Sequence, residues 1–190
     1  MGLFDRFKNK AQHDAQVDSI TNLTLTSMRP GFLVDYDLKT WEVKAANRYE
    51  WGSMISLEWQ LVSADDTIYL ECETDDETEW SISRPISFRS LGESVRRAIM
   101  ETGDGPDQVS WQGQTYYLEE TAGGHFFANG QVTGKAAQSD EGAPLLQWGY
   151  ETEDGSSYLT IEQWGDTDFQ AFAGGPAHEY QFSNILPPAR

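Results

Sequence analysis

Basic residues are scarce in this chain: 13 Lys and Arg stand against 31 Asp and Glu, a formal net charge of −18 over 190 residues. Nucleic acid is therefore excluded as a partner of the body of the protein, because phosphate contacts need clustered Lys and Arg. Cysteine is nearly absent. A single residue, Cys72, excludes an internal disulfide and any multi-cysteine zinc site, and a reducing, cytoplasmic location is expected. No run approaches the roughly 18 apolar residues that a spanning helix requires. The short apolar start is followed at once by charge, so no secretory signal peptide is expected.

Catalytic signatures are also missing. The histidines His13, His125 and His178 are far apart, no H-E-x-x-H or G-x-S-x-G pattern occurs, and a non-enzymatic protein is expected. Gly130-Gln131-Val132-Thr133-Gly134-Lys135 resembles a phosphate loop but has three intervening residues instead of four. Ala136 also stands where a magnesium-binding Ser or Thr belongs, so the segment reads as a plain loop. No cofactor and no metal ligand set is assigned. The acidic run Glu71, Glu73, Asp75, Asp76, Glu77 and Glu79 fits no EF-hand spacing and reads as a solvated, charge-protected strand edge. Cys72 alternates with Ile68 and Leu70 and reads as a small buried apolar side chain.

Aromatic residues are plentiful: seven Trp, eight Tyr and nine Phe. They favour pleated faces, and they are arranged in a repeat. Val34-x-Tyr36, then Trp41-x-Val43, matches Val109-x-Trp111, then Tyr116-x-Leu118, at an offset of 75. Trp51 meets Phe126 at the same offset. Leu57-x-Trp59-x-Leu61 matches Leu146-x-Trp148-x-Tyr150 at an offset of 89, and Tyr69-Leu70, Glu73 and Glu79-Trp80 meet Tyr158-Leu159, Glu162 and Asp168-Phe169. The change of offset places about 14 extra residues in a Gly- and Ser-rich loop after Phe127.

Period-two alternation in both copies is the strand signature. Ile55, Leu57, Trp59 and Leu61 are expected on one face, with Ser56, Glu58 and Gln60 opposite. The expected fold is mainly β: two tandem antiparallel meanders, or small barrel-like units, related by internal duplication. An N-terminal helical segment occupies 1–24, β unit one 25–90, a connecting helix 91–104, and β unit two 105–190. The helical stripe begins at Arg89 with Leu91, Val95, Ala98 and Ile99 and ends by Gly103. Ile86-Ser87-Phe88 and Tyr180-Gln181-Phe182 are expected as short final strands.

The V-x-Y, W-x-V, E-W-x-L and Y-L-x-x-E residues quoted above give the chain a resemblance to the bacterial family catalogued as domain of unknown function 4178, over about residues 25–188. The resemblance implies a small all-β domain with no assigned activity, and no functional residue carries over. Relatives tend to be encoded near membrane-stress proteins, small membrane proteins and polyamine-synthase-like enzymes. The Met1–Phe7 start is similar to that of bacterial proteins associated with membranes or envelope stress.

One segment departs from the acidic rule. Leu3, Phe4 and Phe7 are apolar while Arg6, Lys8 and Lys10 are basic, the composition of a segment that contacts an anionic lipid surface or a partner. The myristoylation pattern fails at Arg6. The functional expectation is a protein-interaction (adaptor) module with a protein partner, acting at the cytoplasmic membrane in a stress or defence pathway. The alternative is a domain that binds a small molecule, a polyamine or another cation. An aromatic-lined pocket with converging carboxylates favours the alternative, and a flat exposed apolar patch favours the adaptor.

Overall fold

The computed structural model describes residues 23–74, 76–129 and 142–188. Residues 1–22 of the expected N-terminal helical segment, with the contact residues Leu3, Phe4, Arg6, Phe7, Lys8 and Lys10, and the 130–135 loop lie outside the described residues.

Eleven antiparallel strands form one sheet. The first five are β1 (Leu33–Tyr36), β2 (Lys39–Trp51), β3 (Met54–Val62), β4 (Thr67–Thr74) and β5 (Thr78–Ile86). After the helix α1 (Glu93–Thr102) come β6 (Gln108–Trp111), β7 (Gln114–Phe127), β8 (Ala143–Glu151), β9 (Tyr158–Gln163), β10 (Phe169–Ala177) and β11 (Phe182–Leu186). The spatial order is β11-β1-β2-β3-β4-β5-β10-β9-β8-β7-β6, and an additional β2–β7 pairing joins the two ends. Strands β2 to β5 and β7 to β10 thereby close into a ring, less regular than a barrel.

Turn chemistry sets the register of the meanders. Asp37 and Leu38 both have positive φ (47° and 61°), as do Gln112 and Gly113 (49° and 82°), so two-residue turns open both halves. Each long strand carries a register shift, between Val43 and Ala45 in β2 and between Leu118 and Glu120 in β7. Beyond these shifts the chain bends and β2 exchanges partners. Its start pairs with β1, and Arg48, Tyr49 and Glu50 pair with Phe127, Phe126 and His125 of β7.

The second seam is longer. Ala171–Ala177 of β10 pair with Ile86–Trp80 of β5. Gly174 is required there, because a Cβ at that position would collide with the Ile82 carbonyl oxygen. Gly124 serves the first seam, where a Cβ would strike the Trp51 ring and the Glu50 carbonyl.

Each half buries one face against its own lid. In the first, Trp41, Val43, Trp59, Leu61, Ile68 and Leu70 pack with Leu25, Met28 and Phe182. The Trp59 indole N–H donates to the Met28 carbonyl at 3.1 Å. In the second, Val109, Tyr116, Trp148, Tyr150, Leu159 and Ile161 pack beneath Val95 and Ile99 of α1. Cys72 is buried in the first cluster. The apolar faces thus turn away from the ring, and the polar faces turn toward each other inside it.

The faces of β3 divide as expected, but the second face is buried as well. Trp59 and Leu61 are buried, but Ser56 and Glu58 are buried too, and Ile55 is 50% exposed at the hairpin end. The sheet curls, so its second face meets the other half instead of solvent. Glu71 and Glu73 are likewise turned inward, and β4 is an interior strand of the sheet, not an edge.

Three boundaries differ from expectation. The helical region splits into a 3-10 turn at Phe88–Leu91 and α1, because Gly92 between them takes φ 97°. Gly103, at φ 77°, ends α1 as anticipated. Phe88 is therefore helical instead of extended. Tyr180 and Gln181 likewise fall in a 3-10 turn (Glu179–Gln181), held by the His178 N–H donating to the Gln181 side chain at 2.7 Å. Only Phe182 begins a strand, and β11 pairs with β1.

Trp59 and Trp148 are 2% and 0% exposed. Replacing either by Ala should cost about 3–5 kcal/mol, and Gly174→Ala about 1–3 kcal/mol through overpacking at the seam. Urea melts of the three variants check this. A loss below about 0.5 kcal/mol for Gly174→Ala would mean that the β5–β10 seam is not formed as described.

Candidate functional site

The interior of the ring is acidic. On one side, β3 and β4 place Glu58 directly opposite Glu71, and β4 and β5 place Glu73 opposite Glu79. Like charges facing each other across a ladder destabilise it, so these pairs run against the fold's own interest. From the other half, β9 contributes Glu162 and β7 contributes Glu120.

Glu58 and Glu162 are 8% and 4% exposed and meet across the ring through one phenol. The Tyr49 hydroxyl lies 3.3 Å from Glu58 Oε2 and 3.3 Å from Glu162 Oε1. Asn47 Nδ2 donates to Glu58 Oε1 at 2.8 Å, and the Trp164 indole donates to Glu162 Oε2 at 3.0 Å. A phenol has one proton to give. Hydrogen bonding to both carboxyls at once therefore requires one of them to be protonated and to donate.

The energetics agree with that count. Burial, opposed by the Asn47 hydrogen bond and reinforced by Glu162, pushes Glu58 up to about 7. Burial and the charge of Glu71 push Glu162 up to about 7. Glu71, enclosed by the ring and facing Glu58 and Glu73, is pushed up to about 8. Glu73 is raised by burial, then by Glu120 and Glu79. Burial and both neighbouring carboxylates hold the Tyr49 phenol well above its ordinary range.

At the β2–β7 seam, Tyr49 stacks on Trp51 (centroids 5.4 Å apart) and packs against Phe126 (4.9 Å). Phe126 meets Trp164 edge-on at 5.2 Å. Beyond the buried carboxyls the interior widens into a cleft of about 1080 Å³. Its walls carry seven glutamates: Glu71, Glu73, Glu79, Glu119, Glu120, Glu151 and Glu179. Trp80, Tyr158 and Tyr180 supply aromatic surface, and among the described residues neither Lys nor Arg lines it. Among the described residues, the ion pairs all involve other carboxylates: Asp65, Glu42, Glu50, Asp66 and Glu93. The cleft glutamates are spread along its walls. Among the described residues no three His, Cys, Asp or Glu side chains converge as metal ligands would.

His125 lies in the β2–β7 seam opposite Glu50. His178 stands at the cleft, stacked on Tyr180 at 5.1 Å. The two are not brought together with Cys72 in one cluster. The buried glutamates escape a reading from the sequence, because Glu58 and Glu71 look like the solvent positions of alternating strands. Their one signal is that Glu73 and Glu162 coincide in the repeat.

Residues 29–179 match the family described as "Domain of unknown function (DUF4178)", and the chain belongs to that family. An "Uncharacterized protein" of Aquifex aeolicus (strain VF5) is 24% identical over 189 residues, covering 98% of this chain and 99% of the relative. No solved structure matches. Among the described residues, no helix is long and apolar enough to cross a membrane.

Three of the raised carboxyls, Glu58, Glu71 and Glu162, set a pH dependence. Each holds its proton more tightly in the folded chain than unfolded, where it titrates near 4.5. Between about pH 4.5 and pH 8 the unfolded chain releases protons that the folded chain keeps, so stability falls as pH rises. Thermal midpoints should drop by on the order of 5 °C or more from about pH 5 to about pH 8. A Glu58→Gln, Glu162→Gln double variant should flatten the slope. A wild-type midpoint that rises across that range would show the carboxyls to be ionised and paired instead.

Proposed function

We propose that this chain is a non-enzymatic binding module for an organic polycation, such as a linear polyamine, taken up in the acidic cleft inside the ring. The observation that carries the reading is the lining itself: among the described residues, seven glutamates and no Lys or Arg surround one cavity. Like charges placed opposite one another lower stability unless something is gained, and such local conflicts concentrate at functional sites. Spread carboxylates suit a ligand whose charges are also spread. Tyr158 and Tyr180 offer faces for alkyl segments and for cation–π contact.

The adaptor reading rests on Leu3, Phe4, Arg6, Phe7, Lys8 and Lys10, and membrane or stress-pathway action would belong to that segment, not to the ring. On this proposal the halves are copies of one unit. The seams fit that relation, since Glu50 pairs with His125 at the offset of 75 and Arg84 with Ala173 at the offset of 89.

A bound cation favours the ionised carboxylates, so binding releases protons from Glu71 and its neighbours, and affinity should rise with pH between about 6 and 9. Titration calorimetry of the full chain with spermidine at low ionic strength tests this. The expected result is saturable binding, weakened about tenfold or more (about 1.4 kcal/mol) by Glu73→Gln with Glu120→Gln. Proton release should appear as a dependence of the heat on the buffer. Equal affinity of wild type and a folded double variant, or no saturable binding, would end the proposal.

A further inference from the structure

A second concavity opens beside the cleft. Trp51, Met54 and Ile55, at the β2–β3 hairpin end, form the apolar floor of a notch of about 360 Å³, and Glu73, Glu77 and Glu79 stand on its rim. Met54 and Ile55 are 47% and 50% exposed. Apolar side chains half in solvent inside a ring of acids are surface that a partner of opposite character would cover. The notch and the cleft are continuous, since Glu73, Thr74 and Glu79 line both.

We propose that residues 2–10 of this same chain dock in the notch. The segment is the complement of the site in both respects: Leu3, Phe4 and Phe7 for the apolar floor, and Arg6, Lys8 and Lys10 for the acidic rim. Three of the 13 basic residues of the chain fall within these few positions. Thr26, 16 residues after Lys10, lines the cleft that runs into the notch. The residues between Lys10 and Thr26 span up to about 50 Å when extended, so reach is not limiting. Tethering makes the encounter intramolecular, which lets individually weak contacts suffice. The basic segment then acts as a built-in occupant that withholds Leu3, Phe4 and Phe7 from lipid or partner and neutralises Glu73 and Glu79. This docking stands whether or not the cleft takes a polycation.

The test places a nitroxide on the full chain at Asn9→Cys, with Cys72→Ala leaving one thiol, and follows the methyl signals of Met54 and Ile55. Docking in cis broadens both signals to loss. Adding Leu3→Asp, Phe4→Asp and Phe7→Asp to the same chain restores them. Without any label, the same triple substitution in the otherwise wild-type chain should shift both methyl resonances. Mixing spin-labelled chain of natural isotopic abundance with isotope-labelled, unspun chain should leave them intact. Undiminished methyl signals in the labelled chain overturn the proposal, as does broadening that survives the triple substitution. Broadening in the mixed sample assigns the notch to a second copy instead. Flotation with anionic vesicles, without broadening at Met54, assigns the segment to a lipid surface, and either result overturns docking in cis.

Discussion

Two ladders hold everything else in place. β5 against β10 and β2 against β7 turn two meanders into one closed circuit, and closure decides what each side chain meets. Without the ladders, Glu58, Glu71 and Glu162 would be solvent residues on amphipathic strands, at ordinary pKa. With them, the carboxyls share a low-dielectric space, and Glu58 and Glu162 meet on one phenol. The glycines at the seams follow from the same requirement, because backbone and indole approach where a side chain would stand.

The interior is unusual in what it gives up. A ring of this size is commonly stabilised by filling it with branched apolar side chains. Here the apolar mass is moved to the outer faces, under Leu25, Met28 and Phe182 on one side and α1 on the other. The inside is left to carboxylates, a phenol and an aromatic wall. Nothing in the packing demands acids at these positions, since Gln or Thr would fill comparable space without repulsion. In the second half, Gln147 and Thr160 stand 89 residues after Glu58 and Glu71.

Much of the fold was legible because it is local. The alternating strands around Trp59 and Trp148, both buried, and the glycine stop of the helix follow from neighbours in the chain. The site was not legible because it is made by pairing between halves. Alternation assigns Glu58 to the face opposite Trp59, correctly, but cannot say whether that face meets water or another sheet. The same limit applies to Ile55, which shares a stripe with Trp59 yet projects beyond the lid that covers the stripe. The acidic run from Glu71 reads as solubility for the same reason. Its first strand, β4, lies between β3 and β5, and β5, which carries Glu79, is kept from the edge only by β10.

The order in which these contacts form has a kinetic side. Pairings within β1–β5 and within β6–β10 join strands that are sequence neighbours, whereas Arg84 meets Ala173 across 89 residues. Loop-closure entropy makes such long-range pairing late. The carboxyls lose their water only at that step, so their desolvation loads the final barrier and leaves hairpin formation untouched. Protonation then acts as an accelerator of ring closure. Ionised carboxyls should therefore slow the joining of the two meanders, without slowing the meanders themselves.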